Sequence, residues 1–212
     1  MLFSDFTNYI PKLLNEQLPA VAAHLKMAPV ERKASLEPDY YLKNNPRNSA
    51  VMMLFYPKDR EATIVLTKRN TYAGVHSAQI SFPGGKAELT DKDLAYTALR
   101  ETEEEIGLEP KDIHIVMPFT KIYIPPSNFL VSPFLGLMQH EPVFKPDPTE
   151  VAEIIELPLD LLLDDAIVRN VQLKTSFGDG IDVPAFNVGN HIVWGATAMI
   201  LSELKETIKS VL

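Results

Sequence analysis

An α/β fold, with a mixed sheet between helices, is predicted by three observations. Short apolar runs with turn signals between them occupy the first half of the chain. An acid-rich helix with both ends marked follows, and the last nineteen residues carry apolar side chains at helical spacing.

Phe3 to Leu25 is expected to be helical, with Pro11 tolerated only near a kink or a start, and Lys26 to Asn48 reads as an irregular, polar approach segment. Strands are expected at Ala50 to Phe55 and Thr63 to Thr67, joined as a hairpin through Pro57-Lys58-Asp59-Arg60, and at Gln79 to Phe82. Later strand candidates are His114 to Phe119, Leu130 to Met138 and Val151 to Leu157. In the segment from Trp194 to Leu212, residues Ala198, Leu201, Leu204, Ile208 and Leu212 recur as on one helix face, which would pack across the sheet.

Thr90 is the expected cap of the central helix, with Asp93 three residues later and further negative charge at the positive end of the macrodipole. Gly107 suits the left-handed residue that closes a helix after Ile106, and Pro110 prevents continuation. At about 100° per residue, Glu101, Glu104 and Glu105 share one sector, opposite a stripe of Ala95, Leu99, Thr102 and Ile106. Arg100 lies one turn before Glu104 and can pair with it, whereas Glu103 points to solvent. An isolated acidic run of this kind reads equally well as a solvated face. Like charges at this spacing weaken a helix unless something offsets them, however, and clustered hard oxygen ligands suit Mg²⁺ or Mn²⁺. Upstream, Phe82-Pro83-Gly84-Gly85-Lys86 is a strand-to-loop signal that lets backbone approach a ligand. It is not a Walker A loop, because Ala87 follows Lys86.

Gly85 together with Arg100-Glu101-Thr102-Glu103-Glu104-Glu105-Ile106-Gly107-Leu108 resembles the Nudix box, whose second half it matches at every charged and glycine position. The first half departs: Asp91 stands where the family places a glutamate, and one residue too many precedes Arg100. That longer loop, with Glu88, Asp91 and Thr97-Ala98-Leu99-Arg100-Glu101, resembles the coenzyme A pyrophosphatase branch. So does Val65-Leu66-Thr67-Lys68-Arg69 leading to Phe82-Pro83-Gly84-Gly85, with Arg69 and His76 where that branch has them. Asn70, Gly74 and Ala78 depart from it, where the branch has a small residue, a second arginine and a glycine.

The resemblance implies a Nudix alpha/beta/alpha sandwich spanning residues 1–212 as one domain, with an N-terminal helical extension over about 1–48. It implies metal-dependent hydrolysis of a pyrophosphate, with Mg²⁺ or Mn²⁺ held by Glu101, Glu104, Glu105 and the Gly85 carbonyl. Arg100 belongs to the same catalytic group, and Arg69, His76, Phe82 and Lys86 would contact substrate. Glu150, in a late loop, is a further carboxylate candidate, although a strand flank is the commoner role for such a residue. The implied substrate is coenzyme A or a derivative, cut to phosphopantetheine and adenosine 3',5'-bisphosphate. ADP-ribose or another nucleoside diphosphate derivative is the nearer alternative. A non-catalytic binding module is the farther one, and the intact Arg100, Glu101, Glu104 and Glu105 argue against it.

The chain has 212 residues, of which 46% are hydrophobic and 23% charged, enough for one substantial core. No cysteine is present, which excludes disulfides, thiolate zinc sites and a cysteine nucleophile. A net charge of -8 argues against nucleic acid as the main partner, and a small nucleotide substrate remains compatible, as does a homodimer. The start lacks a basic, apolar leader and no run is long enough to span a membrane, so a cytoplasmic location is expected. Tyr123 to Phe129, rich in proline, reads as a substrate-side loop or a connector. The five histidines show no paired metal spacing, and Trp194 is expected to pack or to cover an interface.

Overall fold

The computed structural model describes residues 1–70, 79–175 and 178–212. Its spine is β1 (Arg47–Lys58), buried on both faces, so Ala50 to Phe55 reads as a continuous apolar run and not as an alternating one. Met53 and Phe55 face one layer, and Ala50, Met52, Leu54 and Tyr56 face the other. β2 (Glu61–Arg69) returns antiparallel, with Lys58 opposite Glu61. The turn residues Asp59 and Arg60 both have positive φ, at 47° and 72°, the backbone of a tight hairpin that more often carries Asn-Gly.

β3 (Ile80–Ser81) pairs with β2, and β4 (Gly84–Lys86) pairs with β1, with Ala50 opposite Gly85. β5 (His114–Pro118), β6 (Ile122–Ile124) and β7 (Phe129–Leu137) follow, and β8 (Val151–Pro158) pairs antiparallel with β2. β7 runs parallel to β1, so the eight-stranded sheet is mixed, in the order β3-β2-β1-β7-β5 with β4, β6 and β8 alongside.

The N-terminal expectation is corrected. Helix α1 (Phe3–Leu13) stops after its proline-containing last turn, and only a short α2 (Val21–His24) follows. Pro19 and the positive φ of Ala20, 49°, interrupt any continuous helix to Leu25. Phe3, Phe6 and Leu13 nevertheless belong to the same apolar cluster as the sheet face containing Met53, Phe55, Ile64 and Leu66.

Helix α3 (Leu94–Ile106) covers the opposite face of β1. Its cap is Asp93, which accepts the Tyr96 amide at 2.7 Å, and not Thr90. Gly107 closes it with φ 71°, as expected. After the short α4 (Leu159–Leu163), a small antiparallel sheet of β9 (Val168–Thr175), β10 (Gly178–Val188) and β11 (His191–Val193) forms, which the sequence reading did not contain. β9 is largely exposed, and its apolar alternation is confined to Val171 and Leu173, too short to announce a strand.

α5 (Gly195–Val211) buries Ala198, Leu201, Leu204 and Ile208 as the spacing predicts, but Leu212 lies past the helix end and is exposed. Burial on most sides gives α5 two charged residues inside. Glu203 is fully buried and accepts the Ala20 amide at 3.2 Å and the Thr120 amide at 3.3 Å, with His24 at 3.2 Å. That network fastens the N-terminal segment to the helix and accounts for His24 as a structural residue. Among the described residues, no helix is long and apolar enough to cross a membrane.

Candidate active site

A cleft of about 750 Å³ opens between the end of the mixed sheet and the start of α5. One wall is formed by β4 and α3. Gly84 and Gly85 bring backbone to this wall because side chains would not fit. A Cβ on Gly84 would stand 2.3 Å from the Ala50 carbonyl oxygen, and one on Gly85 would stand 2.3 Å from Glu101 Oε2.

Arg100 is the hub of the wall. Its Nε and Nη2 donate to the two carboxylate oxygens of Asp91 at 2.9 and 3.0 Å, and Nη1 donates to Glu101 at 3.0 Å and Glu104 at 2.8 Å. Nη2 also donates to the Lys86 carbonyl at 3.0 Å, which ties the helix to the glycine loop. The pairing with Glu104 was legible from spacing. The stronger, forked contact with Asp91 was not, and Asp91 also accepts the Glu88 amide and the Thr97 hydroxyl at 2.9 and 2.8 Å. These donors, the Arg100 guanidinium first, hold the Asp91 carboxyl well below the usual carboxylate range. The shift from glutamate to aspartate and the extra residue before Arg100 thus come together at one residue that fixes the hub.

The expectation that Ala95, Leu99, Thr102 and Ile106 pack while Glu101, Glu104 and Glu105 share the opposite, charged face is corrected in part. Thr97, Ala98, Thr102, Glu105 and Ile106 are the buried positions of α3, while Ala95 and Leu99 are only partly covered. Glu105 is 2% exposed, turned inward, and accepts the Gly84 amide and Arg69 Nη1, both at 3.3 Å. Burial pushes the Glu105 carboxyl up to about 7 against the pull of Arg69, and burial also raises Glu101. Glu104 remains exposed against Arg100, and Glu103 is exposed as expected.

Arg69 reaches Glu105 and, more loosely at 3.9 Å, the half-exposed Glu150. Glu150 sits where the loop after residue 144 folds over the end of α3: Lys145 and Asp147 donate amides to the Ile106 and Glu105 carbonyls at 2.9 and 3.0 Å, and Asn70 donates to the Pro148 carbonyl at 2.7 Å. Lys86 and Phe82 line the cleft as well, but Phe82 is 1% exposed and serves the core first. His76, Gly74 and Ala78 lie outside the described residues.

Among the described residues, no three acidic or histidine side chains already converge on one point to hold a metal ion. The donors are still of the right kind. Carboxylates of Glu101, Glu104 and Glu105 follow one another along α3, and mutual repulsion with Glu150 contributes to the raised Glu101 and Glu105. A hard divalent cation would relieve that repulsion, with the Gly85 carbonyl beside it.

Apart from the Tyr123 to Phe129 segment, read as a substrate-side loop or a connector, sequence reasoning missed the rest of the cleft. Arg32, Ser49, Val51, Ile192, Trp194 and Ile200 also line it, from three separate parts of the chain, and Trp194, expected to pack or to cover an interface, borders the cleft. Ile124, Pro126, Ser127 and Phe129 line it too, which places the proline-rich segment on its wall.

A model of the NUDIX domain matches residues 46–174. The chain belongs to the Nudix family. Nudix hydrolase 22, chloroplastic, of Arabidopsis thaliana is 34% identical over 163 residues, which make up 74% of this chain and 53% of that protein. The uncharacterized Nudix hydrolase NudL of Photorhabdus laumondii is 30% identical over 172 residues, covering 81% of this chain and 90% of that one. The chain spans little more than half the length of the plant relatives it matches. Among solved structures, the Nudix hydrolase RenU of M. smegmatis superposes with a TM-score of 0.54 at 13% identity, over 79% of this chain and 88% of that one. A C. elegans Ap4A hydrolase binary complex gives 0.51 at 12% identity, over 77% and 98%. At such low identity these two show the fold alone, the Nudix mixed sheet between helices. Nudix enzymes generally use divalent metal ions such as Mg²⁺ or Mn²⁺, which accords with the oxygen-rich wall of α3.

Proposed function

We propose that this Nudix protein hydrolyses the pyrophosphate bond of a nucleoside diphosphate derivative, with coenzyme A and its derivatives as the preferred class. The observation that carries the reading is the convergence of the Gly84-Gly85 backbone, Arg69, Lys86 and Glu101 on one wall of one large cleft, with Glu105 bonded to Arg69 and Gly84 behind it and Glu104 tied to Glu101 through Arg100. The coenzyme A preference rests on the sequence from Val65 to Glu101, in particular the longer loop that places Asp91 on Arg100.

In this reading Glu101, Glu104 and Glu105, with the Gly85 carbonyl, hold Mg²⁺ or Mn²⁺. A divalent cation bound there would neutralise phosphate charge and make its water more acidic. Arg100 keeps Glu101 and Glu104 oriented through bonds shared with Asp91. One wall carboxylate accepts the proton of the attacking water, and the group titrates as a coupled set, so the base belongs to the set. Lys86 meets the substrate's phosphates at the cleft edge, and the apolar middle of the cleft, Phe82 included, takes the rest of the ligand. Glu150, through Arg69, is an outer carboxylate of the same wall.

A second reading, ADP-ribose or a related compound as substrate, is favoured by Gly74 and Ala78, where the coenzyme A branch carries an arginine and a glycine. Incubation with coenzyme A and Mg²⁺ or Mn²⁺, with ADP-ribose in parallel and an EDTA control, separates the two by the masses of the products. Phosphopantetheine and adenosine 3',5'-bisphosphate, formed only with metal, are expected. Cleavage of ADP-ribose with coenzyme A intact would overturn the substrate, and no turnover of either would overturn the reading for both.

A further inference from the structure

Arg32 comes from the polar segment before β1, which has no periodic pattern to place it, yet its side chain is buried in the cleft, 5% exposed. Its Nη2 donates to the Tyr123 carbonyl at 2.8 Å, while Nη1 has no partner among the described residues. Burial lowers the guanidinium to about 10, so it is charged at neutral pH. It forms no ion pair among the described residues, whereas Arg100 and Arg69 on the opposite wall face several carboxylates. A buried cation without a counter-charge is costly unless a ligand supplies one.

Two further buried polar atoms in the same cleft lack partners among the described residues: the hydroxyls of Ser49, 6% exposed, and Ser127. The sheet register gives the separation. Lys86 stands opposite Ser49, Ser49 opposite Val131 and Val131 opposite Ile122, whose neighbour Tyr123 holds Arg32. Three strand spacings make roughly 14 Å across the cleft. That is farther than one pyrophosphate reaches, and Val51, Phe129 and Val131 line the space between.

We propose that Arg32, with Ser127, forms a subsite for a second phosphate group of the substrate, set apart from the hydrolysed pyrophosphate by the apolar middle of the cleft. The proposal rests on the hydrolytic reading for the role of the acidic wall. The guanidinium fork matches phosphate oxygens in a way lysine cannot, and the Ser127 hydroxyl adds a neutral donor. The subsite would select nucleotides that carry a phosphate beyond the diphosphate bridge.

The test is calorimetric binding to the full chain without metal, so it reads the subsite whether or not turnover occurs. Adenosine 3',5'-bisphosphate, adenosine 5'-monophosphate and inorganic phosphate are the probes. The wild type is expected to prefer the bisphosphate over the monophosphate by about tenfold or more, the size of one charge-assisted contact. Arg32→Gln should bring that ratio to within about twofold of unity, and Arg32→Lys should restore it only in part. Ser127→Ala, which leaves the Arg32 to Tyr123 bond alone, should lower the ratio by about threefold. An unchanged ratio in Arg32→Gln, or an equal loss for both nucleotides with a lower thermal transition, would make Arg32 a scaffold residue and overturn the proposal. Arg32-dependent binding of inorganic phosphate with no bisphosphate preference would overturn it too, because the anion would then not belong to the substrate. Failure of the hydrolytic reading would appear separately, as absence of metal-dependent products.

Discussion

Arg100 and Arg32 both reach into the region of one cleft and stand in opposite electrostatic surroundings. Arg100 meets three carboxylates at 2.8 to 3.0 Å, from residues nine positions before it and one and four after it. Arg32 meets a single carbonyl, from a residue 91 positions away, and no carboxylate among the described residues. One wall therefore carries more negative charge than its own cations neutralise, and the other carries a cation with nothing to neutralise it. A ligand that presents a metal-bridged diphosphate to the first wall and a separate anion to the second would be complementary to both. The difference also shows what a site is built from: local pairing organises the acidic wall, while chain-distant packing alone creates the basic one.

The largest effect is expected at Glu105. In Glu105→Gln the side chain keeps its shape, and burial already favours the neutral form, so the thermal transition should move little. Steady-state turnover should fall by about a thousandfold. Activity within tenfold of wild type would leave the acidic wall without its proposed role.

The glycine pair sharpens the comparison, because the two positions fail differently. In Gly85→Ala the new Cβ would overlap the Glu101 carboxylate, 2.3 Å from Oε2 and 2.4 Å from Cδ, and a flexible side-chain end can swing aside. The fold should survive with turnover down by about a hundredfold. In Gly84→Ala the obstacles are backbone, the Ala50 carbonyl oxygen at 2.3 Å and Val51 Cα at 2.6 Å, at a φ of 152°. That change should lower stability by about 3 kcal/mol, measured by urea unfolding. Equal loss of stability in both variants would refute the distinction.

A smaller effect belongs to the clamp on Arg100. Asp91→Asn retains the shape and removes the charge from a forked contact, with an expected cost of about 2 kcal/mol. Scanning calorimetry should show a transition lower by roughly 4 to 8 °C. A transition within 1 °C of wild type would show that Glu101 and Glu104 hold Arg100 without it. The smallest effect is expected at Glu150, half-exposed and 3.9 Å from Arg69. Glu150→Gln should change kcat/KM by less than about threefold, as for other exposed pairs, and a larger loss would move Glu150 into the catalytic group.

How far the sequence carried differs from element to element for physical reasons. Ala50 to Phe55 was legible as a strand because both faces are covered, and Trp194 to Leu212 as a helix because its apolar spacing repeats over four turns. The hairpin at Asp59-Arg60 was placed correctly even though neither residue is glycine, since apolar runs on both sides left no other room for a turn. The small sheet of β9 to β11 was not read because β9 is largely exposed and its alternation spans only Val171 to Lys174, while the alternation of β10 from Ile181 to Ala185 is interrupted by Pro184, which argues against a strand. In α3 the C-terminal end at Gly107 and the Arg100 to Glu104 pair were written in the sequence, while the cap at Asp93 and the inward turn of Glu105 were not. A helical wheel has no knowledge of Gly84, whose amide donates to that carboxylate.

By itself the sequence determined the family, the acid-rich helix with its glycine loop, and the order of the sheet's main strands along the chain. Those features depend on residues within a turn or a strand of one another, where spacing fixes geometry. Tertiary structure alone decided which carboxylate is buried, which partner holds Arg100 most firmly, and that Arg32 faces the cleft from a segment without periodicity. Each of these depends on desolvation or on contacts between residues more than two helical turns apart in the chain, and neither leaves a mark in helical or strand spacing.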